Sequence, residues 1–200
     1  VDAGILSSYT AGLEKLEDPI AVELEFEDPP VPVEMEEADP LPLSGAPFAL
    51  WIHDEDLVLE SSPLSSLAPQ ALLAPIPGAI WEEQFFSEAK QDFLSSAIAD
   101  GVARAEKHFN LVSGTSSSDD LEEALVSGAQ ASGVSRIVAM RPFTGPLADA
   151  LPGIAARLQE NGVSLHLLRR EEDLDVMNRA TAGFFGFWKK TAKLREPVPV

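Results

Sequence analysis

The stretch SRIVAMRPFTGPLADALPGIAARLQENGVSLHLL, residues 135–168, decides the fold. Residues 135–140 (SRIVAM) form a short apolar run bounded by turn residues, the pattern of a strand buried on both faces. Gly145 breaks the chain, and Pro146 stands where a first helical position tolerates it. A helix is expected from about residue 146 to 161, with Gly162 as its stop. A second apolar run, VSLHLL, follows at 163–168. Strand, helix and strand in this order make a βαβ unit, which needs parallel strands joined by a right-handed crossover.

The same grammar extends upstream. Residues 116–120 (SSSDD) are a cap cluster, Asp119 with Glu122 fits a capping box, and the helix that follows runs to about Ala131 before Gly133. Residues 110–114 (NLVSG) read as a strand ending in a turn. Residues 85–109 read as a long amphipathic helix, with Phe86, Ala89, Phe93, Leu94, Ile98, Val102 and Ala103 at spacings of threes and fours. Residues 47–52 (PFALWI) are the first buried strand, and 78–81 (GAIW) a further strand candidate. Residues 47–190 are therefore expected to form an α/β domain, a Rossmann-like doubly wound parallel sheet of about five strands with helices on both faces. Residues 191–200 are left as a C-terminal tail.

Residues 1–46 differ in kind: an acidic, Pro-rich arm, extended or partly disordered. Proline at 19, 29, 30, 32, 40 and 42 breaks helices and forbids central strands. Between them Val22-Glu23-Leu24-Glu25-Phe26-Glu27 alternates apolar and acidic residues, the period of a one-faced strand. Val22, Leu24 and Phe26 would supply the contacts if the arm lies across this domain or a partner.

Composition narrows the function. The 200 residues carry 33 acids and 14 bases, a net charge of −19, and the first hundred hold 21 of those acids and two of those bases. Such a surface repels phosphate backbones, so direct nucleic-acid binding is not expected, and docking onto a protein is. With no Cys, thiol catalysis, disulfides and Cys-based zinc sites are excluded. Three scattered histidines, His53, His108 and His166, give no metal-ligand spacing. No apolar run has the roughly 18–20 residues of a membrane helix. No signal-peptide pattern opens the chain, and a cytoplasmic location is expected.

Ligands in open α/β sheets bind at the carboxyl ends of the strands. There the sequence offers His53-Asp54-Glu55-Asp56, Ser113-Gly114-Thr115-Ser116 and Arg141-Pro142-Phe143-Thr144-Gly145. The serine-rich turn lacks both the dinucleotide glycine fingerprint and the P-loop lysine, and Asp119 and Asp120 stand where a phosphate would lie. The carboxylates at 54–56 could hold Mg²⁺, but a solvated loop cluster is the commoner use of such a run, and no metal is expected. No nucleophile elbow is present. Near the C-terminus, Gly183-Phe184-Phe185-Gly186-Phe187-Trp188-Lys189-Lys190 gathers four aromatics beside a lysine pair, either lining a planar-ligand pocket or packing against a neighbouring domain.

These segments resemble the photolyase/cryptochrome family. Residues 49–59 (ALWIHDEDLVL) followed by Ser62-Pro63-Leu64 are similar to that family's opening W-F-R-R-D-L-R-L and N-P-A-L. Trp81 with the Phe86 to Phe93 segment, and the strand ending at Gly114, resemble later pieces in the same order. Residues 180–190 are similar to the segment by which the family's α/β antenna domain leads into its helical FAD domain. The FAD domain, the tryptophan relay and the basic DNA-binding face have no counterpart in these 200 residues, and the family's Arg-Arg is His53-Asp54 here. The resemblance implies the fold of the antenna domain and not DNA repair.

In that family the domain can hold a folate, deazaflavin or flavin antenna. By position at the strand ends, such a pocket would be built from Trp51, His53, Ser113, Gly114, Arg141 and Phe143. The functional expectation is a non-catalytic module that docks to a partner protein, for instance a separate flavin-binding subunit, through Phe184, Phe185, Phe187 and Trp188 and through the arm. The alternative is a small nucleotide-binding protein or enzyme on a related α/β fold.

Overall fold

Ala49, Leu50 and Trp51 are at most 1% exposed. They are strand β1 (Ala49–Trp51), the centre of the sheet in a computed structural model that describes residues 45–114, 120–180 and 183–192. Val22, Leu24 and Phe26, the rest of the arm to residue 44, residues 115–119 and 181–182 and the tail from 193 lie outside the described residues. In chain order β1 is followed by a 3₁₀ turn (Leu59–Ser61), β2 (Ala71–Leu73), α1 (Gly78–Glu83), α2 (Glu88–Phe109) and β3 (Ser113–Gly114). Then come α3 (Leu121–Ala131), β4 (Arg136–Met140), α4 (Pro146–Glu160), β5 (Ser164–Leu168), α5 (Glu171–Asn178) and α6 (Phe184–Lys190).

All five strands are parallel, in the order β3-β2-β1-β4-β5. Strand side chains alternate between faces, and the two cores follow that alternation. Ala49, Trp51, Leu73, Ile137 and Ala139 pack under α3 and α4 through Leu125, Ala129, Leu151, Ile154 and Leu158. Leu50, Ile52, Leu72, Val138 and Met140 pack on the other face with Leu59, Leu64 and Ala105 of α2. The sheet is therefore covered on both faces and doubly wound, as the alternating strands and helices predict.

Local chemistry sets the boundaries. Asp120 caps α3, its carboxylate accepting the amides of Glu122 and Glu123. The cap thus falls one residue after the Asp119 expected from the sequence. Gly133 and Gly162 take the left-handed conformation, φ 67° and 74°, just past the helix ends they were expected to close.

Three expectations need correction. Residues 78–81 are helical, not a strand: Trp81 turns inward, 3% exposed, and its indole N–H donates to Asp54. The strand that pairs with β1 is Ala71–Leu73, which alternation cannot reveal in three residues buried on both faces. The long helix starts at Glu88, after Phe85 takes φ 54° and Ser87 caps it. Only its second half lies on the sheet, so Ile98, Gly101 and Ala105 are buried while Phe93 is 71% exposed. The expected strand at 110–114 shortens to Ser113–Gly114.

Gly101 is where α2 meets the turn after β1. A Cβ there would stand 3.0 Å from the Leu57 carbonyl oxygen and 3.1 Å from its Cβ. Gly101→Val would gain a few tenths of a kcal/mol in helix propensity. Overpacking against backbone costs more, about 1–3 kcal/mol, so a net loss is expected in urea unfolding. An unchanged midpoint would contradict the close approach.

Candidate functional site

The chain leaves β1 toward the face of α2 and leaves β4 toward α4 on the opposite face. β1 and β4 are neighbours, so their carboxyl ends define the topological switch point, where this fold class opens a ligand crevice. Here the crevice is crossed by the residues that follow β1.

His53 is 1% exposed, and its Nε2 lies 2.8 Å from the Met140 carbonyl oxygen at the end of β4. Its Nδ1 accepts the Glu55 amide at 3.3 Å. A carbonyl only accepts and an amide N–H only donates, so these partners place the ring proton on Nε2. Glu55 reaches over the switch point, and its Oε2 accepts the Phe143 amide at 2.7 Å. Asp54 Oδ2 accepts the Trp81 indole N–H of α1 at 3.0 Å. Asp56, with a side chain 8% exposed, makes a two-pronged pair with Arg170, Oδ1 accepting from Nη2 at 2.9 Å and Oδ2 from Nη1. That bond, more than anything else, raises the Arg170 pKa above its ordinary value.

Four consecutive residues thus tie the end of β1 to β4, to α1, to the turn before α4 and to the start of α5. The cluster expected to be solvated is bonded to four other parts of the domain. Its carboxylates diverge, and among the described residues no three His, Asp or Glu side chains converge as a metal site.

The six residues expected to line a pocket separate into two groups. Trp51 is in the core under α3 and α4, edge-on to His53 with ring centroids 5.4 Å apart, and its indole N–H has no hydrogen-bond partner among the described residues. Arg141 and Phe143 follow β4, and Phe143 is 42% exposed. Ser113 and Gly114 are on β3, three strands from β4 or about 14 Å at the usual strand spacing. Ser113 is engaged locally, its amide and Oγ both donating to Glu106 Oε1 at 2.7 and 2.8 Å. Those two bonds hold the Glu106 carboxyl below its ordinary value. A cavity of about 530 Å³ opens beside the switch point between α1, α3 and α4, lined by Ile80, Asp120, Leu121, Glu122, Ala150 and Ile154 among others. None of the six expected residues lines it.

The C-terminal aromatics form helix α6. Phe184, Phe185 and Trp188 are 64%, 78% and 48% exposed, with Phe184 stacked on Trp188 at 5.8 Å. Phe187 is half-buried, and no residue of α6 is fully buried. Polar ties hold the helix instead. Arg179 grips the Asp175 carboxylate of α5 and donates from Nη1 to the Lys190 carbonyl at 3.3 Å. Sequence reasoning missed Arg169, Arg170 and Arg179, although an Arg-Arg pair directly after the last strand was a visible signal.

Among the described residues no helix is long and apolar enough to cross a membrane. No protein-family model, curated protein or solved structure matches the chain significantly.

Asp56→Ala leaves the partly buried Arg170 guanidinium with only Asp173, 4.0 Å from its Nη1. The expected loss is about 2–3 kcal/mol, under the roughly 3–5 of a fully buried pair, and Arg170→Met on the same background should recover part of it. No loss would remove the pair from the account. Glu106 gives a second check. A depressed folded value stabilises above the unfolded value near 4.5 and is lost as pH falls through the folded one. The melting-temperature gap between wild type and Ser113→Ala should therefore be widest above about pH 5 and close in stronger acid. A gap independent of pH would contradict this.

Proposed function

We propose that the chain is a non-catalytic α/β module, built like the antenna domain of the photolyase/cryptochrome family, that works by docking a partner protein through α6. The observation that carries the reading is the exposure of Phe184, Phe185 and Trp188 on a helix held by polar ties. Exposed aromatics grouped on one short helix are the composition of an interface core. Lys189 and Lys190 adjoin them, both exposed, in a chain whose net charge is −19. The partner surface that fits is an apolar groove with a carboxylate rim. In the family resembled, this segment leads to the flavin domain, so a separate flavin-binding subunit is the partner of choice.

The closed switch point supports a docking role over a catalytic one, because His53, Glu55 and Asp56 already bond the groups a ligand would use there. An antenna chromophore would have to lie against Arg141 and Phe143 at the rim. The nucleotide-binding alternative would use the cavity of about 530 Å³, whose wall carries Asp120 and Glu122 and repels phosphate.

The test is capture of the partner from native cytosol, with an absorbance spectrum of the complex. Phe184→Asp and Phe185→Asp are expected to lose the partner while the melting temperature stays within a degree or so, since both side chains are largely in solvent. A captured protein with flavin absorbance, released by both variants, is the expected result. Undiminished capture by the variants, or a melting temperature raised by nucleotide alone, would overturn the reading.

A further inference from the structure

β5 is one edge of the sheet and β3 the other. An edge strand presents unpaired backbone groups, and proteins blunt it by shortness, charge, proline or a bulge. β3 is blunted by its length of two residues. β5 has none of these devices: its five residues, SLHLL, all stand in register with β4.

The ladder fixes which groups are left over. The Ser164 amide donates to the Ser135 carbonyl at 2.9 Å, and the Leu168 carbonyl accepts the Arg141 amide at 2.7 Å. Alternate residues of a parallel pair turn their backbone groups toward the neighbour, so Ser164, His166 and Leu168 face β4. The N–H and C=O groups of Leu165 and Leu167 point away from the sheet, and no described residue bonds them. Both leucine side chains are half-buried against the core under α4. A cavity of about 500 Å³ opens beside them, lined by Ala155, Gln159, Val163, Ser164 and Leu165 among others.

We propose that this edge pairs antiparallel with β5 of a second copy of the chain, about a two-fold axis at His166. The register is self-complementary. Leu165 of each copy falls opposite Leu167 of the other as a hydrogen-bonded pair, and two sheets of five strands become one continuous sheet. Opposed residues share a face, so the leucines of both copies make one apolar strip between the two α4 helices. Charge selects a second copy as the occupant. Residues 161–168 hold no Asp, Glu, Lys or Arg in a chain of net charge −19, so two such edges meet without opposed carboxylates. Beyond them, Arg169 of one copy falls opposite Val163 of the other, close after the α4 C-terminus with its Glu160 and its negative helix end. The strip is small beside the roughly 800 Å² per partner of a standard interface, so the dimer is reversible. The pairing does not involve α6 and does not depend on the docking role proposed for that helix.

The test is sedimentation velocity of the full chain over a concentration series, at about 0.15 M salt to screen the net charge, with amide hydrogen exchange at the same concentrations. The mass should rise from 21.4 kDa toward twice that value. The Leu165 and Leu167 amides should gain protection in step with it, while the His166 and Leu168 amides are protected at every concentration. Leu167→Pro removes an outward N–H and leaves the bonds to β4 in place, so it should raise the dimer dissociation constant at least tenfold. If that variant fails to fold, His166→Lys sets two cations opposite each other at the axis, with Cα atoms about 4.5 Å apart, and should weaken the dimer as much. A chain that stays monomeric, a dimer in which Leu165 and Leu167 exchange freely, or protection of both amides in a monomer overturns the proposal. So does undiminished dimerisation of the variant that folds.

Discussion

His53 Nε2 donates to the Met140 carbonyl across the gap between β1 and β4, and that bond fixes where the chain goes after the central strand. β1 has parallel neighbours on both sides and buried side chains on both faces, so its continuation can leave only over the carboxyl end of the sheet. With the ring held at 2.8 Å from β4 and its Nδ1 receiving the Glu55 amide, the next three carboxylates are aimed outward in three directions. Each meets a donor on a different element: Trp81, Phe143 and Arg170. The acidic turn is therefore a hub. Losing His53 would disturb β4, and losing Asp56 would leave Arg170 with only the more distant Asp173. Such a cluster is worth more than a set of exposed ion pairs, because its members are buried or half-buried and share one short loop.

This arrangement has a functional consequence. A Rossmann-like sheet ordinarily leaves its switch point open to ligands. Here the same residues that would meet a ligand bond one another, and a group of exposed aromatics stands elsewhere, on the short helix after α5. That helix keeps Phe184 and Phe185 largely in solvent and Trp188 about half exposed, with Arg179 bonded to its Lys190 carbonyl. The proposed docking role rests on these aromatics and the adjoining Lys189 and Lys190, a local basic end on an acidic chain.

The long periodic segments were legible in the sequence. α3, α4, β4 and β5 lie within two residues of their expected limits, because glycine stops and buried β runs act locally. What was not legible depended on tertiary contacts. Three residues of β2 carry no period, and Trp81 is helical because its indole finds Asp54, which is distant in sequence. The stripe read along residues 85–109 ran past the edge of the sheet, which is why Phe93 faces solvent. For the site, strand ends gathered His53, Arg141 and Phe143, which follow the neighbouring strands β1 and β4, but without the strand order Ser113 and Gly114 could not be separated from them. His53-Asp54-Glu55-Asp56 reads as a solvated cluster until the indole, amide and guanidinium that face it are known.

The most direct test of the closed switch point is amide hydrogen exchange at Glu55 and Phe143, whose N–H groups are bonded to His53 Nδ1 and Glu55 Oε2. The account predicts that both exchange slowly, on the scale of the amides in β1 and β4. Exchange at the rate of an open loop, with β1 and β4 still protected, would mean that the turn lifts away and leaves the crevice free for a ligand, which would contradict it.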